Sequence, residues 1–382
     1  MRLARRLVLS LVIPSALFAG CGSSSSGGDT PATTQGGGGT TGTGGSTGTG
    51  AGGSGTGGTA AATCTESGGI DLAGLWAVKV RLDVSVQSAP DGVVKVCPMD
   101  QKGPSDILVL VEIAQDGTNL PSITTHVCDF TLPSVSAMAG GCVGSMPGSV
   151  TAQVSASTAL HAALPTVTLP PVKGTLSGTT PGSMFNPERV NVVLGSKSPD
   201  GKNMAHWNPS TSCDNAAAPK GTDTMCETTC VSACDDATDS DADTAPGVTV
   251  TVCGQSQEAA GAMCNVDDPK VPGWTLQGKA YLNFAVNPLL NGVVKSSCQI
   301  DGTNVDAAIT YDVLGGDVWL SGAQISVGQI ISAIPIFKVV PETSKYTGLR
   351  VDGKHGAPNW GIDASNLKAA CDTAVKQAKS AF

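Results

Sequence analysis

Residues 75–86 have the sequence Leu-Trp-Ala-Val-Lys-Val-Arg-Leu-Asp-Val-Ser-Val, and this stretch decides the fold class. Apolar side chains occupy every second position from Val78 to Val86, with Lys79, Arg81 and Asp83 between them. Successive side chains of a strand point to opposite faces, so the alternation predicts a strand with one buried face and one solvent-facing side.

Similar short segments follow along the chain, separated by turn residues. They span residues 107–113, 150–154, 189–194, 248–253, 276–286, 293–300, 305–313 and 318–321. Turns are predicted at residues 90–92, 115–117, 301–302 and 315–316, where Asp, Gly and Pro cluster. The pattern predicts an all-β protein, an antiparallel barrel or sandwich of about ten strands.

The chain ends in a segment with helical periodicity. Apolar residues recur at helical spacing, at Leu367, Ala370, Cys371, Ala374, Val375 and Ala378. Asp363 or Ser365 is expected to cap this amphipathic helix. Cys371 lies on its buried face, which predicts a disulfide between the helix and the sheet.

The chain has thirteen cysteines, of which Cys21 stands apart from the rest. The other twelve predict up to six disulfides of an exported protein, with pairing left open. They are Cys64, Cys97, Cys128, Cys142, Cys213, Cys226, Cys230, Cys234, Cys253, Cys264, Cys298 and Cys371. Zinc binding by thiolates is disfavoured because no Cys-x-x-Cys occurs.

The first 21 residues resemble a bacterial lipoprotein signal. Arg2, Arg5 and Arg6 precede an apolar stretch from residue 7 to 18, too short to span a bilayer, and Ala19-Gly20-Cys21 follows. The resemblance implies that residues 1–20 are a signal peptide and that Cys21 carries lipid. It also implies a place in the bacterial cell envelope, at the outer membrane. Phe18 stands where such signals usually have Leu.

Residues 21–62 comprise Cys21 and a low-complexity linker of mostly Gly, Ser, Thr and Ala. The linker has almost nothing to bury, which predicts a disordered tether with a mean span of about 35 Å. Residues 63–382 form the predicted β-rich head, with a Cys- and Asp-rich insertion at about 197–247. Without the signal arginines the chain has 31 acidic against 19 basic residues, which argues against a nucleic-acid partner.

Three carboxylates in the insertion alternate along the chain, at Asp239, Asp241 and Asp243. Calcium prefers six to eight oxygen ligands, and this spacing resembles the Asp-x-Asp-x-Asp core of EF-hand-like loops. The glycine and the glutamate expected later in such a loop are replaced by Thr244 and Val250. The spacing makes calcium a candidate cofactor, and a solvated acidic loop is the alternative.

Gly74-Leu75-Trp76, at the start of the first strand, resembles the opening Gly-x-Trp of the lipocalin and wider calycin barrels. The resemblance implies a barrel with Trp76 at its base and a C-terminal helix outside it, often fixed by a disulfide. The family's Thr-Asp-Tyr loop and late arginine are not recognisable in the sequence, and the head is about twice the usual length.

The histidines follow no catalytic pattern. His126, His161, His206 and His355 are scattered, with no His-Glu-x-x-His, and this favours a non-enzymatic protein. The expected function is a membrane-anchored binding protein that holds a small hydrophobic ligand or a surface partner. A calcium-stabilised structural or adhesive surface protein is the alternative, and a hydrolase is less favoured.

Overall fold

The structure, a computed structural model, describes residues 64–65, 68–88, 94–96, 101–132, 135–139, 150–167, 169–198, 204, 237–255, 264–267, 276–320 and 322–382. These residues belong to one compact unit. The predicted signal, Cys21 and the tether lie outside the described residues. So do the predicted turn at residues 90–92 and most of the insertion, with Cys97, Cys142, Cys213, Cys226, Cys230 and Cys234.

The described residues form seventeen strands and three α-helices. The strands are β1 (Gly74–Gln87), β2 (Val94–Val96), β3 (Gln101–Asp116), β4 (Asn119–Phe130), β5 (Val135–Ala139), β6 (Val150–Ala156), β7 (Val172–Leu176), β8 (Met184–Pro187), β9 (Val192–Leu194), β10 (Val248–Gln255), β11 (Leu276–Val286), β12 (Gly292–Ser296), β13 (Gln299–Thr303), β14 (Ile309–Leu320), β15 (Ala323–Gln324), β16 (Ile336–Val339) and β17 (Lys345–Arg350). The helices are α1 (Thr158–Ala163), α2 (Val327–Ala333) and α3 (Leu367–Ala381), and 3-10 turns cover Leu164–Thr166, Pro341–Thr343 and Lys354–Gly356.

Eight strands close into an antiparallel barrel. The ring runs β1-β3-β4-β7-β8-β12-β13-β17 and returns to β1, so the barrel strands follow one another in chain order. β16 pairs with β1 beyond the end of β17. The all-β prediction is confirmed, with the barrel as the architecture, and the barrel is compatible with a lipocalin-like fold.

The connections at the two ends of the barrel differ in length. At one end, called the base here, short turns at residues 117–118, 177–183 and 297–298 join neighbouring barrel strands. At the other end, the top, four long connections cover residues 88–100, 131–171, 188–291 and 304–344. All four contribute to one second sheet, ordered β15-β14-β11-β10-β6-β5-β2 with β9 on β11. The chain therefore has more strands than expected because these insertions form a sheet of their own.

The barrel interior is an apolar core. Trp76, Val78, Val80, Leu82 and Val84 of β1 are buried together in the main hydrophobic cluster. This is the face that the alternation predicts.

Helix α3 packs on the outside of the barrel, as the sequence predicts. Cys371 forms a disulfide with Cys128 of β4, and its Cα lies 4.9 Å from that of Cys128. The predicted cap is wrong: Asn366 caps the helix, accepting a hydrogen bond of 3.3 Å from the Ala369 amide. The Asp363 carboxylate instead accepts hydrogen bonds from the Ser365 amide and hydroxyl.

Two predicted turn sites lie inside strands. Gly302 is in β13, where a Cβ would overlap the ring of Tyr346. Gly316 is in β14, where a Cβ would lie 2.8 Å from the Cδ1 atom of Ile330 in α2. Both glycines therefore make room for a packed side chain. Conversely, residues 293–300, predicted as one strand, form a hairpin between β12 and β13.

Two further disulfides join described residues. Cys64 pairs with Cys298 at a Cα separation of 6.0 Å, and Cys253 pairs with Cys264 at the same separation. The first ties the chain ahead of β1 to the base, and the second lies in the second sheet. In the described part of the chain, no helix has the length and apolar character needed to cross a bilayer.

Candidate functional site

Two neighbouring cavities lie inside the barrel, one above the other. The lower is lined by residues that include Trp76, Ile123 and Ile300, and the upper by residues that include Leu164 and Phe284. The lower cavity has a volume of about 30 Å³ and the upper one of about 50 Å³. These volumes count the space that the centre of a water molecule can occupy. About 10–15 Å³ of such space holds one water molecule, so both cavities exceed that size.

The walls of the two cavities are almost wholly apolar. Thr125, Val190 and Leu290 line both of them, so the two spaces adjoin. The polar atoms nearby are partly used within the protein: the Tyr346 hydroxyl donates to the Leu290 carbonyl at 2.8 Å, and the Ser105 hydroxyl donates to the Thr131 carbonyl at 2.6 Å. The interior therefore suits an apolar group better than a polar one.

The top of the barrel is closed by apolar side chains from two connections, the one between β4 and β7 and the one between β8 and β12. Leu160 of α1 and Leu164 of the following 3-10 turn are fully buried and belong to the barrel core. The Ser157 hydroxyl caps α1 by accepting a hydrogen bond of 3.0 Å from the Leu160 amide. This short helical segment thus covers the upper cavity.

The base is closed by residues 68–73, called the base segment. Its amides donate to a group beside each base turn: Ile70 to the Thr179 carbonyl, Asp71 to Ser297 Oγ and Leu72 to Gln115 Oε1. The Gln115 side-chain amide in turn donates to the Ile70 carbonyl at 3.0 Å.

Trp76 and Arg350 pack together behind the base segment, and neither side chain is exposed to solvent. The Trp76 indole donates to the Leu72 carbonyl at 2.9 Å, and the Arg350 guanidinium carbon lies 5.7 Å from the ring centroid of Trp76. Arg350 also donates to the carbonyls of Asp71 and Ala73. A late arginine is not recognisable in the sequence, but Arg350 of the last barrel strand lies in contact with Trp76.

Asp352, which is half-buried, completes this ionic group. Its carboxylate accepts hydrogen bonds from Arg350 Nε at 3.0 Å and from the Leu75 amide at 3.2 Å. Burial raises its pKa, but the Lys354 amide, the bond and charge of Arg350 and the Leu75 amide outweigh burial and hold the pKa below its usual value. A Cβ on Gly74 would collide with Asp352 and Arg350, which explains the glycine of the Gly-x-Trp sequence physically.

The aspartate loop, residues 237–247, brings its three alternating carboxylates together. One oxygen from each of Asp239, Asp241 and Asp243 lies within 4.8 Å of the others. Backbone amides orient two of the side chains: Asp239 accepts from the amides of Asp243 and Thr244, and Asp243 accepts from that of Ala245. The spacing predicted this cluster, and its oxygens are of the kind that calcium prefers.

Asp241 is the buried member of the cluster, with 4% of the residue exposed. Its Oδ2 atom accepts hydrogen bonds from the Thr249 amide at 2.8 Å and the Ser157 hydroxyl at 3.4 Å, whereas Oδ1 has no hydrogen-bond partner. Burial, followed by the charges of Asp243 and Asp239, raises the pKa of Asp241 to about 6. Burial and the neighbouring carboxylates therefore disfavour the charged form of Asp241.

The described histidines lie on separate elements. His355 Nε2 lies 2.9 Å from the Asp71 carboxylate at the base, and His161 Nδ1 lies 3.3 Å from that of Asp129 near the top. His126 is on β4, and its Nδ1 atom is buried without a hydrogen-bond partner. Burial lowers the pKa of His126, which favours the neutral ring. His206 lies outside the described residues.

Comparison with known proteins adds no relative. No protein-family model matches the chain, and no curated protein sequence is significantly similar to it.

Proposed function

We propose that this chain is a membrane-anchored, non-enzymatic binding protein of the bacterial cell envelope that holds a small hydrophobic molecule inside its barrel. The apolar interior of the closed barrel carries the proposal. The signal-like residues 1–20, Cys21 and the tether support lipid anchorage, which we propose to be at the outer membrane. The base segment follows the tether in the chain, so the top would be the end farther from the attachment.

We propose a slim ligand, such as an alkyl chain, for this free space. The lower and upper cavities adjoin, and an alkyl chain could extend from one into the other. Two of the polar groups in their walls, the hydroxyls of Tyr346 and Ser105, are hydrogen-bonded within the protein. A chain longer than the present free space would displace Leu164 and its neighbours, because the side chains that cover the upper cavity are apolar.

The test uses straight-chain primary alcohols of increasing length as probes. Each buried methylene contributes about 0.8 kcal/mol, so affinity should rise about fourfold per carbon until the cavity is filled. Tryptophan fluorescence follows binding because Trp76 lines the lower cavity. Native mass spectrometry of protein extracted from membranes would then weigh any molecule that is carried from the cell.

A matched pair of glycine substitutions locates the binding. Gly348 lines the lower cavity, and an added Cβ would lie 3.4 Å from Val78 Cγ2, an ordinary contact. Gly348→Ala should therefore fold normally and weaken alcohol binding. Gly328→Ala, on the exposed side of α2 where a Cβ meets nothing within 4 Å, should leave binding unchanged. Equal affinity in both variants, or none for any alcohol, would refute binding in the interior.

A further inference from the structure

The aspartate loop is joined to three other parts of the fold. Asp241 accepts hydrogen bonds from the Thr249 amide of β10 and from Ser157, the residue that caps α1. The Ser240 hydroxyl accepts from the Gly195 amide at 2.8 Å, just after β9. The position of this loop therefore affects both the second sheet and the helix that closes the top of the barrel.

One buried carboxylate oxygen in this loop lacks a hydrogen-bond donor. Asp241 Oδ1 is buried, has no hydrogen-bond donor, and belongs to a side chain that lies within 4.8 Å of two other carboxylates. A buried anionic oxygen without a partner is costly, and neighbouring negative charges increase that cost. A cation bound among the three side chains would relieve this cost, as would a proton on Asp241.

The described part of the protein does not supply that charge. The ion pairs formed by described Lys, Arg and His side chains involve Asp71, Asp83, Asp106, Asp129, Asp267, Asp306 and Asp352, and none involves the aspartate loop. The pKa of the nearby Tyr281 hydroxyl is also affected by these carboxylates. Its pKa is raised by burial and then by the nearby carboxylates of Asp243, Asp317 and Asp241.

We propose that Asp239, Asp241 and Asp243 bind one calcium ion, and that this ion fastens the aspartate loop to β10 and to the start of α1. Three carboxylates are oxygen donors that suit a hard cation, and carbonyls or water molecules can complete a shell of six to eight ligands. Magnesium requires near-ideal octahedral geometry and gives up its water reluctantly, so it should bind more weakly. This inference does not depend on the ligand proposed for the barrel.

The experiment begins with full-length oxidised protein that has been stripped of divalent ions by a chelator. Calcium chloride is titrated to about 10 mM, above the 10⁻⁴–10⁻³ M range of weak extracellular sites, and is followed by calorimetry and thermal melting. We expect saturable binding and a melting temperature that rises with calcium, with a smaller rise for magnesium. Absence of binding heat together with an unchanged melting temperature up to 10 mM would overturn the proposal.

Asp241→Asn distinguishes a metal ligand from a structural carboxylate by the sign of its effect. Without calcium, the variant should melt at the same or a higher temperature than wild type, because it removes a buried, unpaired charge. With saturating calcium it should melt lower than wild type, and its affinity should fall at least about tenfold because a charged ligand is lost. An equal decrease in melting temperature with and without calcium would overturn the proposal.

Two further variants keep the test decisive. Asp239→Asn changes a half-buried ligand whose described hydrogen bonds stay within the loop, so it should fold even if Asp241→Asn does not, and should also weaken calcium binding at least about tenfold. Asp267→Asn removes an exposed carboxylate paired with Lys279 and should bind calcium like wild type. Unchanged affinity in Asp239→Asn would place the ion elsewhere and overturn the assignment.

Discussion

The base and the top of the barrel are closed by different kinds of contact. At the base, the base segment forms directional hydrogen bonds beside every turn, and Arg350 joins Trp76, Asp352 and the segment carbonyls in one buried group. At the top, Leu160 and Leu164 close the barrel by apolar packing. Directional buried contacts fix one geometry, whereas apolar packing tolerates rearrangement. We therefore propose that the base is the more rigid end and that the proposed ligand enters at the top.

The largest expected effect comes from the disulfide that ties the base. Cys64 and Cys298 are 234 residues apart in sequence, whereas Cys253 and Cys264 in the second sheet are 11 apart. The chain-entropy relation gives roughly 5 kcal/mol for the longer loop and roughly 3 kcal/mol for the shorter. Replacing both cysteines of each pair by serine should therefore destabilise the base variant more, as measured by urea denaturation. The opposite order would show that the base segment does not need its disulfide.

The next largest expected effect comes from the buried arginine at the base. Arg350→Ala leaves Asp352 without its buried partner and should lower the free energy of unfolding by about 3–5 kcal/mol. Arg189→Ala, at the top, removes an exposed ion pair with Asp306 and should cost less than about 1 kcal/mol. Urea unfolding of the two variants measures both values. Similar losses at the two ends would contradict the view that the base is held by its buried ionic group.

The parts of the fold that the sequence predicts well are those decided by local pattern. The alternation in β1 is preserved because one face of that strand is buried in the barrel, and Cys371 meets the sheet because the helix has one apolar face. The turn predicted at Gly302 is wrong for a non-local reason: the ring of Tyr346, 44 positions further along the chain, occupies the space beside it. The second sheet was not foreseen either, because its strands come from four separate connections.

The candidate sites likewise contain some residues that the local sequence pattern predicts and others that only the fold reveals. The alternating positions of Asp239, Asp241 and Asp243 are visible in the sequence, since three carboxylates in five residues must lie near one another. The groups that make Asp241 unusual are not visible, because Ser157 and the buried setting come from folding. Arg350 was missed because its contact with Trp76 bridges the first and last barrel strands. The run Arg350-Val351-Asp352 at a strand end carries no signal without the register of β17 on β1.

Low pH should lower the free energy of unfolding by a smaller amount, through the contacts at the base of the barrel. The sign of this effect follows from the pKa of Asp352. Because its pKa is below the usual value in the folded state, the carboxylate stabilises the fold above the unfolded-state pKa of about 4 and loses this contribution as the pH falls through the folded-state value. Wild type should therefore lose more stability between pH 5 and pH 2 than Asp352→Asn, as measured by urea unfolding at each pH. The two curves should approach each other as the Asp352 carboxylate takes up its proton. Parallel curves would mean that Asp352 holds the base by shape rather than by charge, and the contrast with the apolar top would then rest on Arg350 and the base segment alone.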